Sequence, residues 1–234
     1  MSETRTKKVL VTGFGGFLDI KTNPSWEIAR RLPSQLLGSD GSTIELIVPE
    51  HPIAVSYHDI LATAPKLIEQ YSPDIVVHIG LKKESGDFNV ELSAPRYGYQ
   101  DVPDEKRKVF TRLENRKRFG KAADSLASTL DLQSAVSSAA SAAASRVRSS
   151  GSAQHGKRSA KGQASKAVQV LVSDDVGTYV CGFVYYISML EMQKLKGRRD
   201  VVFLHVPQLE GNQEVVAGVR VVEELIKGLV DGHR

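Results

Sequence analysis

Short apolar runs that stop at a glycine alternate along this chain with longer stretches whose apolar residues recur at helical spacing. Lys8-Val9-Leu10-Val11-Thr12 is unbroken up to Gly13, the form taken by a strand buried on both faces. A helix is predicted next, with Asn23 as N-cap, Pro24 at the first helical position, and Trp26, Ile28, Ala29, Leu32 and Leu36 forming an apolar side up to Gly38. Residues 44–48 read as a strand, 60–71 as a helix, and 74–79 as a strand ending at Gly80. A short strand follows at 88–92. The pattern resumes with a strand at 168–173, a helix at 179–195, a strand at 201–206 and an amphipathic helix at 210–230. This βα alternation predicts an α/β fold, a three-layer sandwich with a mostly parallel central sheet flanked by helices.

One region breaks the rhythm. A helix is predicted over 122–144, but its later half is so rich in Ser and Ala that it offers little to bury. Residues 134–166 contain no Leu, Ile or aromatic side chain, too little apolar surface to offset the entropy of ordering them. The expectation is a disordered Ser/Ala/Lys-rich insertion at about 134–166 within a single domain spanning 1–234.

Composition narrows the classes. With 41% hydrophobic and 25% charged residues, 234 residues suffice for one self-supporting core. No run of about 18 apolar residues marks a membrane span. Met1 to Lys8 leads straight into a strand rather than a signal segment, so a cytoplasmic protein is expected. The net charge of +4 comes from basic residues bunched at 106–121 and 146–166; both are read as solvated surface, and no nucleic-acid partner is expected. Cys181 is the one cysteine, which excludes an intrachain disulfide and a thiolate metal cluster.

Candidate chemistry begins at Gly13-Phe14-Gly15-Gly16-Phe17. A glycine turn after a strand can cradle a pyrophosphate, but here Asp19 stands where a third spaced glycine is needed and the helix starts only at Asn23-Pro24. The other reading gives Phe14 and Phe17 as walls of a small-ligand pocket or as packing beneath a loop. Cys181 follows a strand and a polar glycine turn, at the start of a helix, where the positive dipole end and unpaired N–H groups favour thiolate. His205 sits at the C-terminal end of an apolar strand, the edge where open α/β sheets gather their sites. A carboxylate on one ring nitrogen would orient it. Glu91 fits by lying shortly after the third strand on that expected edge, but spacing alone does not separate it from Glu84 or Asp104.

Taken in order, Gly13-Phe14-Gly15-Gly16-Phe17 with Asn23-Pro24-Ser25-Trp26-Glu27, Gly177-Thr178-Tyr179-Val180-Cys181, and Phe203-Leu204-His205-Val206-Pro207 resemble the pyroglutamyl peptidase I (pyrrolidone carboxyl peptidase) family of cysteine peptidases. The resemblance covers nearly the whole chain outside 134–166. It implies an α/β fold, no cofactor and no metal, and peptides with N-terminal pyroglutamate as substrates. By motif position it implies Cys181 as nucleophile, His205 as general base then acid, and Glu91 as the group orienting the histidine. Phe14 and Phe17 would sandwich the lactam ring, with Val180 and the backbone near Leu81 completing the pocket. The chain departs from bacterial members at Leu92, Asp101, 174–176 and Gly182. Two alternatives therefore stay open: a hydrolase of another small lactam or acyl amide, and a weak or inactive relative that acts as a binding protein.

Overall fold

The computed structural model describes residues 6–147 and 169–233. Its elements in chain order are β1 (Lys7–Gly13), α1 (Pro24–Ala29), β2 (Gln35–Leu37), β3 (Thr43–Ile47), α2 (Tyr57–Tyr71), β4 (Ile75–Leu81), β5 (Phe88–Glu91), β6 (Ser93–Pro95), α3 (Arg112–Phe119), β7 (Ser125–Ala127), α4 (Leu132–Val147), β8 (Val170–Ser173), α5 (Val180–Lys196), β9 (Val201–Val206) and α6 (Asn212–Asp231). Seven strands form one sheet in the order β2-β3-β1-β4-β9-β5-β8, and β6 pairs with β7 apart from it.

The core β3-β1-β4-β9 is parallel throughout, as the buried apolar runs require. Two junctions are antiparallel: β2 against β3 at one edge, and β5 against β9. β5 and β8 are parallel to each other, so together they run against the four-stranded parallel core. Helices cover both faces. One is packed by α1, α4 and α6 over Val9, Val11, Val77, Ile79, Val202 and Leu204; the other is packed by α2 and α5 over Leu10, Val76 and Phe203. The three-layer α/β prediction therefore holds.

Two local expectations need correction. The first helix stops at Ala29 instead of continuing towards Gly38. Pro33 follows closely and disfavours helical geometry in the residue before it, and 35–37 pair as an edge strand instead. The Asn23 cap and Pro24 at the first position stand as predicted, the Asn23 side chain accepting from the Ser25 N–H at 3.1 Å. The second correction concerns 122–147. Here 125–127 form β7, and the alanine- and serine-rich run is a helix to Val147. Ala135, Val136 and Ala139 are buried. Small side chains do not leave this helix with nothing to bury; they let it approach α6 closely, so that a Cβ on Gly228 would stand 2.9 Å from the Ala135 Cα. The expected insertion thus cannot begin at 134, and its remainder, 148–166, lies outside the described residues.

Candidate active site

β1 delivers the chain to the glycine turn, and the turn is held by its own hydrogen bonds. Phe14 N–H donates to Ser25 Oγ (3.0 Å), Gly15 N–H to the Ile53 carbonyl (3.0 Å) and Phe17 N–H to the Ile20 carbonyl (3.0 Å). A Cβ on Gly13 would lie 2.6 Å from the Ser25 carbonyl oxygen, and one on Gly16 2.7 Å from that of Ile20. The glycines therefore serve close backbone packing. With these three N–H groups bonded internally, the turn has no row of donors left for a pyrophosphate. Its product is the placement of Phe14, which is buried, and Phe17, which is half-buried.

Those two rings face a slot of about 40 Å³ whose other walls are Asn23, Val55, Leu81, Tyr179, Val180 and Cys181. That volume holds roughly three waters. The four residues expected in a ring pocket, Phe14, Phe17, Leu81 and Val180, thus come together beside the cysteine. Asn23, Val55 and Tyr179 are walls that the sequence does not signal as such. Asn23 carried the helix-cap signal, and its amide also donates to the Gly15 carbonyl at 3.0 Å, tying helix start to turn.

Cys181 is the second residue of α5. Its Sγ reaches across to β4, where a Cβ on Gly80 would stand 3.1 Å from it and 2.6 Å from Phe203 Cζ. Gly80 pairs with His205 in register, and paired residues of parallel strands project to the same face. The missing side chain of Gly80 leaves room for the sulfur on the face to which His205 also projects. A glycine at the end of an otherwise apolar strand is the sequence signal for such a close approach.

His205 Nδ1 lies 2.8 Å from Glu91 Oε1. Glu91 is fully buried, and burial by itself would raise its pKa. Hydrogen bonds from His205, Ser173 and the Asp175 N–H outweigh that and leave it lowered. An ionised carboxylate only accepts, so Nδ1 carries the proton, and in the neutral ring Nε2 is the free acceptor. The route by which Glu91 arrives differs from expectation. The sequence puts it on the same C-terminal edge as His205, but β5 runs antiparallel to β9 and Glu91 is paired with Phe203. His205 is then its diagonal neighbour on the same face, within reach of a long side chain. Tyr185 of α5 fixes this register by donating to the Glu91 backbone carbonyl at 3.0 Å.

The competing carboxylates separate clearly. Asp104 is buried in a loop clamp, accepting from the backbone N–H groups of Tyr57, Lys106 and Lys108 at 2.9–3.0 Å. Glu84 is exposed in the β4–β5 connection.

The thiol itself corrects another expectation. Cys181 borders the slot, but burial pushes its pKa up to about 12, with the negative charge of Glu91 adding to the rise and its own backbone N–H and Lys82 opposing it. At this site, burial outweighs the helix terminus. The resting group is a neutral thiol. Gly182 also has a steric reason to be glycine: a Cβ there would lie 2.3 Å from the Gly177 carbonyl oxygen, so the turn before the cysteine packs directly on the helix start.

Comparison with known proteins follows the same residues. A family model described as pyroglutamyl peptidase matches residues 7–112, a segment that includes Phe14, Phe17, Leu81 and Glu91. Pyroglutamyl-peptidase 1 of Rattus norvegicus is 29% identical over 215 residues, covering 88% of this chain and 82% of the rat protein. Pyrrolidone-carboxylate peptidase of Thermococcus onnurineus is 28% identical over 200 residues, covering 86% and 83%. Among solved structures, a mutant pyrrolidone carboxyl peptidase of Pyrococcus furiosus superposes with a TM-score of 0.70 at 20% identity, over 97% of this chain and 100% of that one. Pyroglutamyl peptidase I of Bacillus amyloliquefaciens gives 0.69 at 18%, over 96% and 97%. The resemblance drawn from the motifs is borne out: this chain is related to the pyroglutamyl peptidases and shares their fold.

Proposed function

We infer that this chain, as a relative of the pyroglutamyl peptidases, is a cysteine peptidase that removes the N-terminal pyroglutamyl residue from peptides. The observation that carries the reading is the placement of Cys181 beside a glycine gap, facing the strand that holds a Glu91-oriented His205, with an aromatic slot on the other side of the sulfur.

The chemistry follows from the protonation states. Because the thiol rests neutral, His205 Nε2 takes its proton as Sγ attacks the pyroglutamyl carbonyl carbon. Glu91 stabilises the imidazolium through Nδ1–H and remains ionised. The first turn of α5 supplies backbone N–H groups with no intrahelical partner, which can meet the developing oxyanion. As the C–N bond breaks, the imidazolium returns its proton to the leaving amine, and a pyroglutamyl thioester remains on Sγ. Water, losing its proton to His205, then attacks the thioester and frees the acid and the thiol.

The slot suits the substrate. A pyroglutamyl ring is flat and neutral, so the Phe14 and Phe17 walls accept it, whereas N-terminal glutamate would bring two charges into an apolar site. No helix among the described residues is long and apolar enough to cross a membrane. A reducing cytoplasmic setting, in which the single thiol stays free, fits the mechanism.

The test is hydrolysis of a fluorogenic pyroglutamyl amide, compared with the matching glutamyl and prolyl amides. Cleavage of the first alone, blocked by stoichiometric alkylation and lost in Cys181→Ser, is the expected result. Activity that survives both treatments ends the cysteine mechanism, and equal turnover of the prolyl amide ends the lactam reading.

A further inference from the structure

A second cavity, of about 710 Å³, opens beside α3 and is lined by Arg96, Tyr97, Gln100, Arg112, Arg116 and Gly120 among others. It concentrates positive charge in an unfavourable way. Arg112 occupies the first turn of α3, where a cation opposes the helix dipole. Arg116 lies one helical turn on, and like charges at that spacing repel. Among the described residues neither forms an ion pair with a carboxylate. Arg96 forms the inner wall and is buried. Its Nη1 donates to the Phe119 and Ala122 carbonyls at 2.7 and 2.6 Å, and its Nη2 to Asp124 at 2.6 Å and to the Tyr97 hydroxyl. Its Nε, also buried, has no hydrogen-bond partner. A buried guanidinium with one donor unpartnered, in the wall of a cavity that it shares with two guanidiniums lacking a carboxylate partner, leaves the positive charge there short of an acceptor.

We propose that this cavity binds an oxyanion of the carboxylate or phosphate type, supplied in catalysis by an acidic residue of the substrate beyond its pyroglutamyl end. The chemistry comes from the forks of Arg112 and Arg116, whose planar donors match the paired oxygens of either group, with buried Arg96 behind them. The source comes from position. Tyr97 and Gln100 belong to one loop with Gly98, whose φ is +102° and where a Cβ would stand 2.5 Å from Thr178 Cγ2. Thr178 adjoins Tyr179, a wall of the cysteine slot. Tyr99 of the same loop packs its ring on Phe183 of α5 at 5.0 Å between centroids. The loop that walls the basic cavity therefore rests on the approach to Cys181. A peptide whose ring fills the slot has its remaining residues outside it, within the field of these arginines. The choice of source rests on the peptidase reading above; the oxyanion site does not.

Three probes decide the matter: a pyroglutamyl peptide amide carrying Glu at the third to fifth positions, the same peptide with Gln there, and inorganic phosphate. In wild-type protein at low salt, the Glu peptide should have kcat/KM at least about fivefold above the Gln peptide, mainly through KM. The double variant Arg112→Gln, Arg116→Gln should remove that preference, leave the small pyroglutamyl amide unaffected, and keep its Tm in phosphate-free buffer. In parallel, millimolar phosphate should raise the Tm of wild type but not of the variant. Phosphate stabilisation without peptide discrimination keeps the oxyanion site and overturns the acidic-peptide source. Neither effect in wild type overturns the proposal entirely. Failure to cleave any pyroglutamyl substrate, with the phosphate shift still dependent on Arg112 and Arg116, overturns the peptidase reading and leaves the site standing.

Discussion

On the α1, α4 and α6 side of the sheet, the buried layer is aliphatic: Val9, Val11, Val77, Ile79, Val202, Leu204 and Val206 meet Ile28, Ala135, Ala139, Val222, Leu225 and Ile226, and Phe88 is the one buried aromatic in the cluster. On the α2 and α5 side, the same strands meet Tyr57, Tyr99, Tyr185, Tyr186, Phe110, Phe119, Phe183, Met189 and Met192, and they carry His78, Glu91 and His205 into that layer. The first side is uniform and close-packed, down to the contact of Gly228 with Ala135. The second is built from large rings with polar edges that take up hydrogen bonds, Tyr185 to the Glu91 carbonyl being one. Alternation along β9 divides the labour: Val202, Leu204 and Val206 face the first layer, while Phe203 and His205 face the second. One face supplies stability through area and fit; the other holds ionisable groups in fixed positions through hydrogen bonds such as His205 to Glu91 and His78 to Thr12 and Ser188.

The sharpest way to break this contrast is to mutate each side and measure both activity and melting. His205→Asn, whose side-chain amide can still donate to the buried Glu91 carboxylate but cannot carry the proton, should lower kcat/KM by roughly 10²–10⁴-fold with a comparatively small change in Tm. Gly228→Val should do the reverse. Its new side chain meets the Ala135 backbone, which cannot swing aside, so stability should fall by about 2–3 kcal/mol while kcat/KM of the folded fraction is unchanged. A loss of activity in Gly228→Val at temperatures well below its melt would show that the two faces are coupled.

The same contrast explains what could be read from the sequence. The strands of the parallel core were legible because a strand buried on both faces leaves a continuous apolar run, as in Val9 to Val11 and Val201 to Val206. The position of His205 was legible because it sits at the end of such a run, and that of Cys181 because a polar glycine turn precedes the apolar start of α5. The α4 helix was misjudged because alanine burial depends on how close the partner comes, and the partner's Gly228 lies some 90 residues away in the chain. The route of Glu91 was hidden for a similar reason: the antiparallel placement of β5 is a long-range pairing choice that its own sequence does not signal. α3 carries the Thr111–Glu114 capping box, a local signal, yet it buries only Asn115 and Phe119 and so shows no apolar stripe. Gly80 was visible as a strand end, but its role as the space for Sγ appears only once α5 is laid across the sheet.

A smaller effect sharpens the second face into its binding and packing parts. Phe14 is buried and bridges to Ile53, whereas Phe17 is half-buried at the mouth of the slot. Phe17→Ala should lower kcat/KM for pyroglutamyl amides by about 30-fold, the equivalent of about 2 kcal/mol of lost apolar contact, with KM rising. Steady-state kinetics with parallel melts distinguish the outcomes: if Tm falls and KM does not move, Phe17 is a packing residue like Phe14.

The smallest expected effect concerns a histidine on that face that the chemistry does not use. His78 projects from β4 into the layer under α5, bridging Thr12 Oγ1 at 2.6 Å and Ser188 Oγ at 2.8 Å. Full burial lowers its pKa from 6.5 to about 3, and among the described residues its ring nitrogens meet hydroxyls, not a carboxylate. A base with a depressed folded-state pKa favours the fold only while it is neutral in both states. Its contribution is intact above pH 6.5 and is lost progressively down to about pH 3, the range in which the unfolded chain binds a proton that the native state refuses. Between pH 8 and pH 5.5 this amounts to about 1.4 kcal/mol of lost stability, in a range above the window of the lowered carboxylates Glu91 and Asp200. His78→Gln keeps an amide that can bond both hydroxyls but cannot titrate. Urea unfolding at the two pH values should therefore show a drop in wild type that exceeds the drop in the variant by about that amount. Equal drops would mean that His78 is charged in the native state, and that the α2 and α5 face tolerates an unpaired cation.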